Sequence, residues 1–129
     1  MQWMFMPFRR YADFSGRSRR KEYWMFALFN AIVNSILLGI GFWGASERLF
    51  SSDDELILYF ACTLGIYGLV AFIPALAVTI RRLHDTDRSG WSILFGLIPI
   101  VGGLILLYFY VTEGTRGPNR FGPDPKAGE

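Results

Sequence analysis

Three long windows without a charged side chain constrain this chain more than any other feature. Residues 23–46, 56–80 and 89–112 contain no Asp, Glu, Lys or Arg, so all 24 charged residues of the 129-residue chain lie outside them. A soluble domain places charges on every exposed face, and a disordered or disulfide-stapled chain is not this apolar. The distribution therefore indicates a membrane protein.

Each window is long enough for one helix across a bilayer. A hydrocarbon core about 30 Å thick needs about 20 apolar residues in a helix. The sequence predicts transmembrane helices over residues 23–43, 56–80 and 91–112, with aromatic residues such as Trp24 and Trp91 near their ends. Such rings favour the headgroup zone. The predicted fold class is an all-α membrane protein with three transmembrane helices.

The two ends of the chain differ in character from the windows. Residues 1–22 mix aromatic and basic side chains, which predicts a short amphipathic helix on the membrane surface, with a loosely packed flexible arm as the alternative. Residues 113–129 are rich in Pro and Gly and predict an irregular tail, either an ordered loop against the bundle or a mobile segment. The chain as a whole, 1–129, is predicted to form a single membrane domain.

The third window carries its own breaking signals. Pro99 is followed by Gly102 and Gly103, so a kink or a wide turn is expected there. A re-entrant hairpin is the alternative to a straight crossing, because 22 residues are too few for two full crossings. A hairpin would return the tail to the side from which the third window starts.

Basic residues near the span ends predict orientation. Residues 1–22 carry six Lys and Arg residues, whereas the first loop carries only Arg48 beside several acidic residues. Basic flanks favour the cytoplasm, so the N-terminus is predicted to be cytoplasmic. Three crossings would then place the C-terminal tail outside. The protein is expected to be a multi-pass protein of the bacterial inner membrane.

The segments between the windows supply the candidate site. Residues 81–91 are densely polar and hold the chain's only histidine, His84, next to Asp85. These two are the candidates for acid–base catalysis, and the structural alternative is an ion-paired loop that fixes one helix against the next. Binding candidates are the polar residues of the arm, this loop and the tail: Arg17, Arg19, Arg20, Arg81, Arg82, His84, Asp85, Arg88, Asn119, Arg120 and Asp124.

Metal, cofactor and nucleic acid are not expected. A transition-metal site usually needs more than one His or Cys, and the chain has one His and one Cys, Cys62 in the second window. The basic arm is tethered directly to a predicted span, which favours lipid headgroups over nucleic acid as its partner.

Three motifs resemble a known family. They are Phe14-Ser15-Gly16-Arg17-Ser18-Arg19-Arg20-Lys21-Glu22-Tyr23-Trp24, then Arg81-Arg82-Leu83-His84-Asp85-Thr86 with Arg88-Ser89-Gly90-Trp91, then the tail from Gly114 to Pro125. Together they resemble the YhaH/YhaI-like family of small bacterial inner-membrane proteins, grouped under a domain of unknown function. The resemblance implies a plasma-membrane protein with a few helices, and it implies no activity.

The sequence favours a non-enzymatic membrane module that binds lipid or a partner protein. Phospholipid of the bilayer, and anionic headgroups in particular, are the expected partners. A small-residue stripe at Ala27, Ala31, Ser35 and Gly39 suits a homo-oligomer or contact with another membrane protein. The alternatives are a small oligomeric transporter or channel component, and an enzyme acting on a lipid headgroup with His84 and Asp85.

Overall fold

Helices account for the regular structure of this chain. The computed structural model describes residues 2–127, and in that range four α-helices and one 3-10 helix form while no extended strand does. The elements are α1 (Gln2–Arg9), α2 (Arg20–Ser46), α3 (Asp53–Asp85), the 3-10 helix (Gly90–Leu97) and α4 (Val101–Val111). The predicted all-helical class is confirmed.

The helices α2 and α3 are the two that are long and apolar enough to cross a membrane, among the described residues. At 1.5 Å per residue they measure about 40 Å and about 50 Å, which exceeds the hydrocarbon core of a bilayer. They run antiparallel, and hydrogen bonds join them: the Tyr59 hydroxyl donates to the Leu37 carbonyl at 3.0 Å, and the Tyr67 hydroxyl donates to the Asn30 side chain at 2.7 Å. The amide of Asn30 thus has a partner on the facing helix.

The third predicted span, residues 91–112, is not one helix, so three transmembrane helices are not confirmed, and the break falls at the expected kink or turn. The 3-10 helix ends at Leu97, and α4 begins at Val101. Pro99 biases Ile98 towards the extended backbone that it adopts, and Ile100 has a φ of 64°, which a β-branched residue rarely adopts. The chain therefore reverses direction between the two helices.

The reversal makes a short hairpin. Eight residues of 3-10 helix and eleven of α-helix each extend about 16 Å, roughly half the hydrocarbon thickness. Gly102 is buried against the Phe95 carbonyl, where any Cβ would clash, so a glycine is needed for the two limbs to approach. The structure therefore forms a hairpin, while the entry of this hairpin into a membrane stays a prediction.

The hairpin carries the tail back to the start of α2. The rings of Tyr23 and Tyr110 lie 4.7 Å apart, and the indole of Trp24 donates to the Tyr110 carbonyl at 3.3 Å. The arm and the tail therefore leave the bundle at the same end. The expectation that the two lie at opposite ends is corrected, because it assumed three full crossings.

The arm packs on the bundle. The helix α1 ends at Arg9, and its Phe8 makes edge-to-face contacts with Phe26 and Phe29 of α2. The Tyr11 hydroxyl donates to the Val70 carbonyl of α3 at 2.6 Å. The predicted short helix is present, while its position relative to a membrane surface stays a prediction. Residue 1 of the arm and residues 128–129 of the tail lie outside the described residues.

Candidate functional site

The candidate residues gather at one end of the bundle, in what we call the polar cap. It comprises residues 13–22 after α1, residues 81–89 at the end of α3, and residues 110–126 at the end of α4 and in the tail. Every binding candidate lies in one of these segments: Arg17, Arg19, Arg20, Arg81, Arg82, His84, Asp85, Arg88, Asn119, Arg120 and Asp124.

Asp85 is the centre of the polar cap. Its carboxylate pairs with Arg17 at 3.0 Å and with Arg82 at 2.5 Å, and all three side chains are at most 3% exposed. Both guanidinium groups also donate to tail and α4 carbonyls: Arg17 to Gly117 and Thr115, Arg82 to Tyr110 and Thr112. One carboxylate therefore ties the arm, α3 and the tail together.

The backbone around Asp85 tightens this connection. The Thr115 amide donates to the Asp85 carbonyl at 2.7 Å. Gly114 lies against the Asp85 carboxylate so closely that any Cβ would overlap its oxygens. The tail therefore needs a glycine at this position to reach Asp85.

A second buried ion pair joins the arm to α3. Arg81 pairs with Glu22 at 2.8 Å, with side chains 0% and 3% exposed, and it also donates to the Asp13 carbonyl at 2.5 Å. Glu22 was not among the predicted site residues. Its signal in the sequence is that it is the one acidic residue among the basic ones just before the first apolar window. An acidic residue in the first turn of α2 also suits the helix dipole.

The side chain of His84 makes its contacts outside the cluster of Asp85, Arg17 and Arg82. Its Nδ1 is 3.0 Å from the Gly16 carbonyl, and its ring stacks on Phe121 with centroids 4.0 Å apart and planes 3° from parallel. Among the described residues, no hydrogen bond joins His84 to Asp85, so an Asp-oriented imidazole is not formed here. Burial lowers the pKa of the His84 imidazole, which lies beyond the apolar part of α3; the Gly16 carbonyl opposes this shift, and Arg120 adds to it.

The remaining basic candidates line the edge of the polar cap. The guanidinium of Arg88 lies 4.0 Å from the centroid of the Phe109 ring, and Arg120 pairs with Asp87 at 3.3 Å in an exposed position. Arg19 stacks over Trp3, and Arg20 donates to the Val111 carbonyl at 3.1 Å. These contacts leave the edge cations closer to solvent than the buried pairs.

The tail is an irregular loop that makes contacts with the polar cap, while its order or mobility stays a prediction. Asn119 donates to the His84 carbonyl at 3.0 Å, and the Asp124 carboxylate accepts from the amides of Gly117 and Lys126 at 2.9 Å each. The Lys126 and Gly117 amides hold the pKa of Asp124 below its usual range. In the arm, hydrogen bonds from Ser15 and Arg10 lower the pKa of Asp13 to about 2.

The chemistry of the polar cap is dominated by internal pairing. The two buried carboxylates, Glu22 and Asp85, already accept from buried arginines. Within residues 2–127, no group of three His, Cys, Asp or Glu side chains is placed to hold a metal ion. The arrangement is suited to holding helices together and to presenting the edge cations.

Two long apolar helices, a short apolar hairpin and an ion-paired polar cap define a small integral membrane protein. The chain matches the family described as "Protein of unknown function (DUF805)" over residues 11–123. It is 49% identical to "Inner membrane protein YhaI" of Escherichia coli (strain K12), over 99% of this chain and 98% of that protein. It is 45% identical to "Inner membrane protein YhaH" of the same strain, over 98% of each chain.

A more distant relative is "Uncharacterized protein YiiR" of Escherichia coli (strain K12), which is 29% identical over 95% of this chain and 88% of that protein. No solved structure matches the chain. The chain belongs to the DUF805 family, whose relatives YhaI and YhaH are proteins of the bacterial inner membrane. The resemblance that the three motifs indicated is confirmed.

Proposed function

We propose that this chain is a non-enzymatic inner-membrane module that binds anionic lipid headgroups at its polar cap, with that cap facing the cytoplasm. The observation that carries the proposal is the distribution of charge over the fold. Twelve of the 13 Lys and Arg residues lie in the arm, the α3 end and the tail. The opposite end holds Arg48 with Glu47, Asp53, Asp54 and Glu55.

This distribution supports both the orientation and the partner. Basic loops remain in the cytoplasm, and the fold brings the tail to the same end as the arm. In this orientation α2 and α3 cross the membrane, the hairpin enters it from the cytoplasmic side, and both termini are cytoplasmic. The cytoplasmic leaflet is rich in anionic lipid, which attracts each basic residue near the surface by about 1 kcal/mol.

The buried arginines are not the lipid ligands in this proposal. Arg17, Arg81 and Arg82 are at most 1% exposed as side chains and are paired within the protein. The cations most open to the outside are at this edge or next to it: Lys21 and, at the end of α1, Arg9 are exposed, and Arg116, which lies 3.8 Å from Glu113, is 88% exposed as a side chain. The proposal therefore assigns headgroup binding to the edge.

The test is lipid retention in native mass spectra of the purified protein with added phosphatidylglycerol. Each lost cation should reduce the binding free energy by about 1 kcal/mol, and salt screening makes this loss smaller. The variant Arg9→Gln/Lys21→Gln/Arg116→Gln is therefore expected to bind phosphatidylglycerol roughly 10- to 100-fold more weakly. Arg48→Gln, at the opposite end, is the matched control and should bind as the parent does. Equal binding by the triple variant and the Arg48 variant would refute the proposal.

A further inference from the structure

A crevice between α2 and α3 opens beside the polar cap. It has a volume of about 300 Å³, and the partly exposed residues of its lining are Tyr23, Ala27, Asn30, Ala75 and Thr79. On α2 the lining residues Tyr23, Ala27 and Asn30 follow one another at spacings of three and four, so they share one helix face. The crevice starts at the level of the polar cap and continues along the apolar part of the helices.

A cation lies at the polar-cap end of this face. Arg20 is three residues before Tyr23 and therefore one helical turn nearer the cap. One of its guanidinium nitrogens donates to the Val111 carbonyl at the end of α4, and the others donate to no residue within 2–127. Arg20 is not itself a lining residue, but it retains hydrogen-bond donors and a positive charge one helical turn from Tyr23 of the lining.

Two tyrosine hydroxyls follow below the cation. The rings of Tyr23 and Tyr110 lie 4.7 Å apart, and neither hydroxyl makes a hydrogen bond with any described residue. The hydroxyls of Tyr59 and Tyr67, by contrast, each donate to the facing helix. Neither hydroxyl is among the buried polar atoms that lack a partner, so both are open to the surroundings and can donate to an acceptor from outside the chain.

We propose that one anionic phospholipid of the leaflet at this end occupies the crevice. Its phosphate pairs with Arg20, its ester carbonyls accept from the Tyr23 and Tyr110 hydroxyls, and one acyl chain packs on Ala27 and Ala75. Along the crevice the order is a positive charge, then hydrogen-bond donors, then an apolar surface. This order matches the phosphate, the ester groups and the acyl chain of a phospholipid. An apolar helix of another protein would leave the cation and both donors unmatched. The inference rests on the proposed lipid binding and gives it one specific site.

The test is a titration of delipidated protein with phosphatidylglycerol, followed by native mass spectrometry. Tyr23→Phe/Tyr110→Phe removes only two oxygens without internal partners, so the fold should be kept. The first phosphatidylglycerol is expected to bind about tenfold more weakly, at roughly threefold for each lost hydrogen bond. The matched control is Tyr108→Phe, a tyrosine of α4 that is 60% exposed. Equal affinities for the double variant and this control would overturn the site.

Two further measurements make the outcome specific. Arg20→Gln should remove most of the preference for phosphatidylglycerol over phosphatidylcholine; an unchanged preference counts against the phosphate assignment. A phosphatidylglycerol with a photoactivatable acyl chain should label the segment around Ala27 or Ala75, and labelling confined to other segments would overturn the proposed site. If the edge-cation variant loses lipid while the tyrosine variant does not, the proposed function stands and this site fails. If neither loses lipid, both fail.

Discussion

At the scale of single residues, one carboxylate compensates two buried guanidinium groups. Arg17 and Arg82 both pair with Asp85, and the positive charge that remains is met by carbonyl groups of the tail and of the C-terminal end of α4. A helix C-terminus carries partial negative charge, so the end of α4 is a suitable place for Arg82 to donate. Removing the carboxylate would leave two buried cations without an anion.

Asp85→Asn is therefore expected to destabilise the protein by about 3–5 kcal/mol, since breaking a buried pair exposes the full desolvation cost of the partner charge. Thermal unfolding in detergent should show a large fall in Tm. The control is Asp87→Asn, which removes an exposed pair with Arg120 and should cost about 0–1 kcal/mol. Similar losses for the two variants would mean that the buried cluster contributes no more than a surface ion pair.

The sequence predicted which residues belong to this cluster but not which of them pair with each other. Arg17, Arg82 and Asp85 stood out because polar side chains between apolar windows are rare, but the spacing within the chain could not pair residues 17 and 85. That pairing depends on the antiparallel packing of α2 and α3 and on the return of α4. Glu22 was missed as a site residue because its partner, Arg81, lies 59 positions away along the chain.

At the scale of elements, length and composition predicted α2 and α3 but not the course of residues 91–112. An uninterrupted apolar window has the same pattern whether it forms one helix or two short limbs. Pro99 and Gly102 were the signals for the break, and their effect depends on tertiary contact: Gly102 is needed where it meets the Phe95 carbonyl. The position of the tail followed from that break, so the error in the third span also displaced the tail.

The tail depends on Asp124, whose pKa is lowered by the amides of Lys126 and Gly117. Because the folded-state pKa lies below the usual value, the ionised carboxylate stabilises the tail fully at a pH above the usual pKa. This stabilisation is lost as the pH falls through the lowered pKa. Asp124→Asn imitates the protonated state at neutral pH. Trypsin should then cleave after Arg116 and Arg120 faster than in the parent at pH 7.5, while cleavage after Arg48 should be unchanged. Equal rates at all three sites would show that Asp124 does not hold the tail.

At the scale of the whole molecule, the fold sorts charge between its two ends. Basic residues of the arm and of the α3 end meet at the polar cap because α2 and α3 run antiparallel, and the hairpin brings those of the tail to the same end. Four acidic residues and Arg48 remain at the other end. The arrangement supports two crossings with a cytoplasmic cap, and both the proposed headgroup binding and the proposed crevice site require it.

Cysteine labelling in cells with an intact inner membrane tests this central claim most directly. In a Cys62→Ser background, Leu49→Cys places a thiol in the α2–α3 loop and Arg116→Cys places one in the tail. A membrane-impermeant maleimide, applied to cells whose outer membrane has been opened, should label residue 49 and should reach residue 116 only after the inner membrane is permeabilised. Labelling of residue 116 before that step, or protection of residue 49, would contradict a cytoplasmic polar cap.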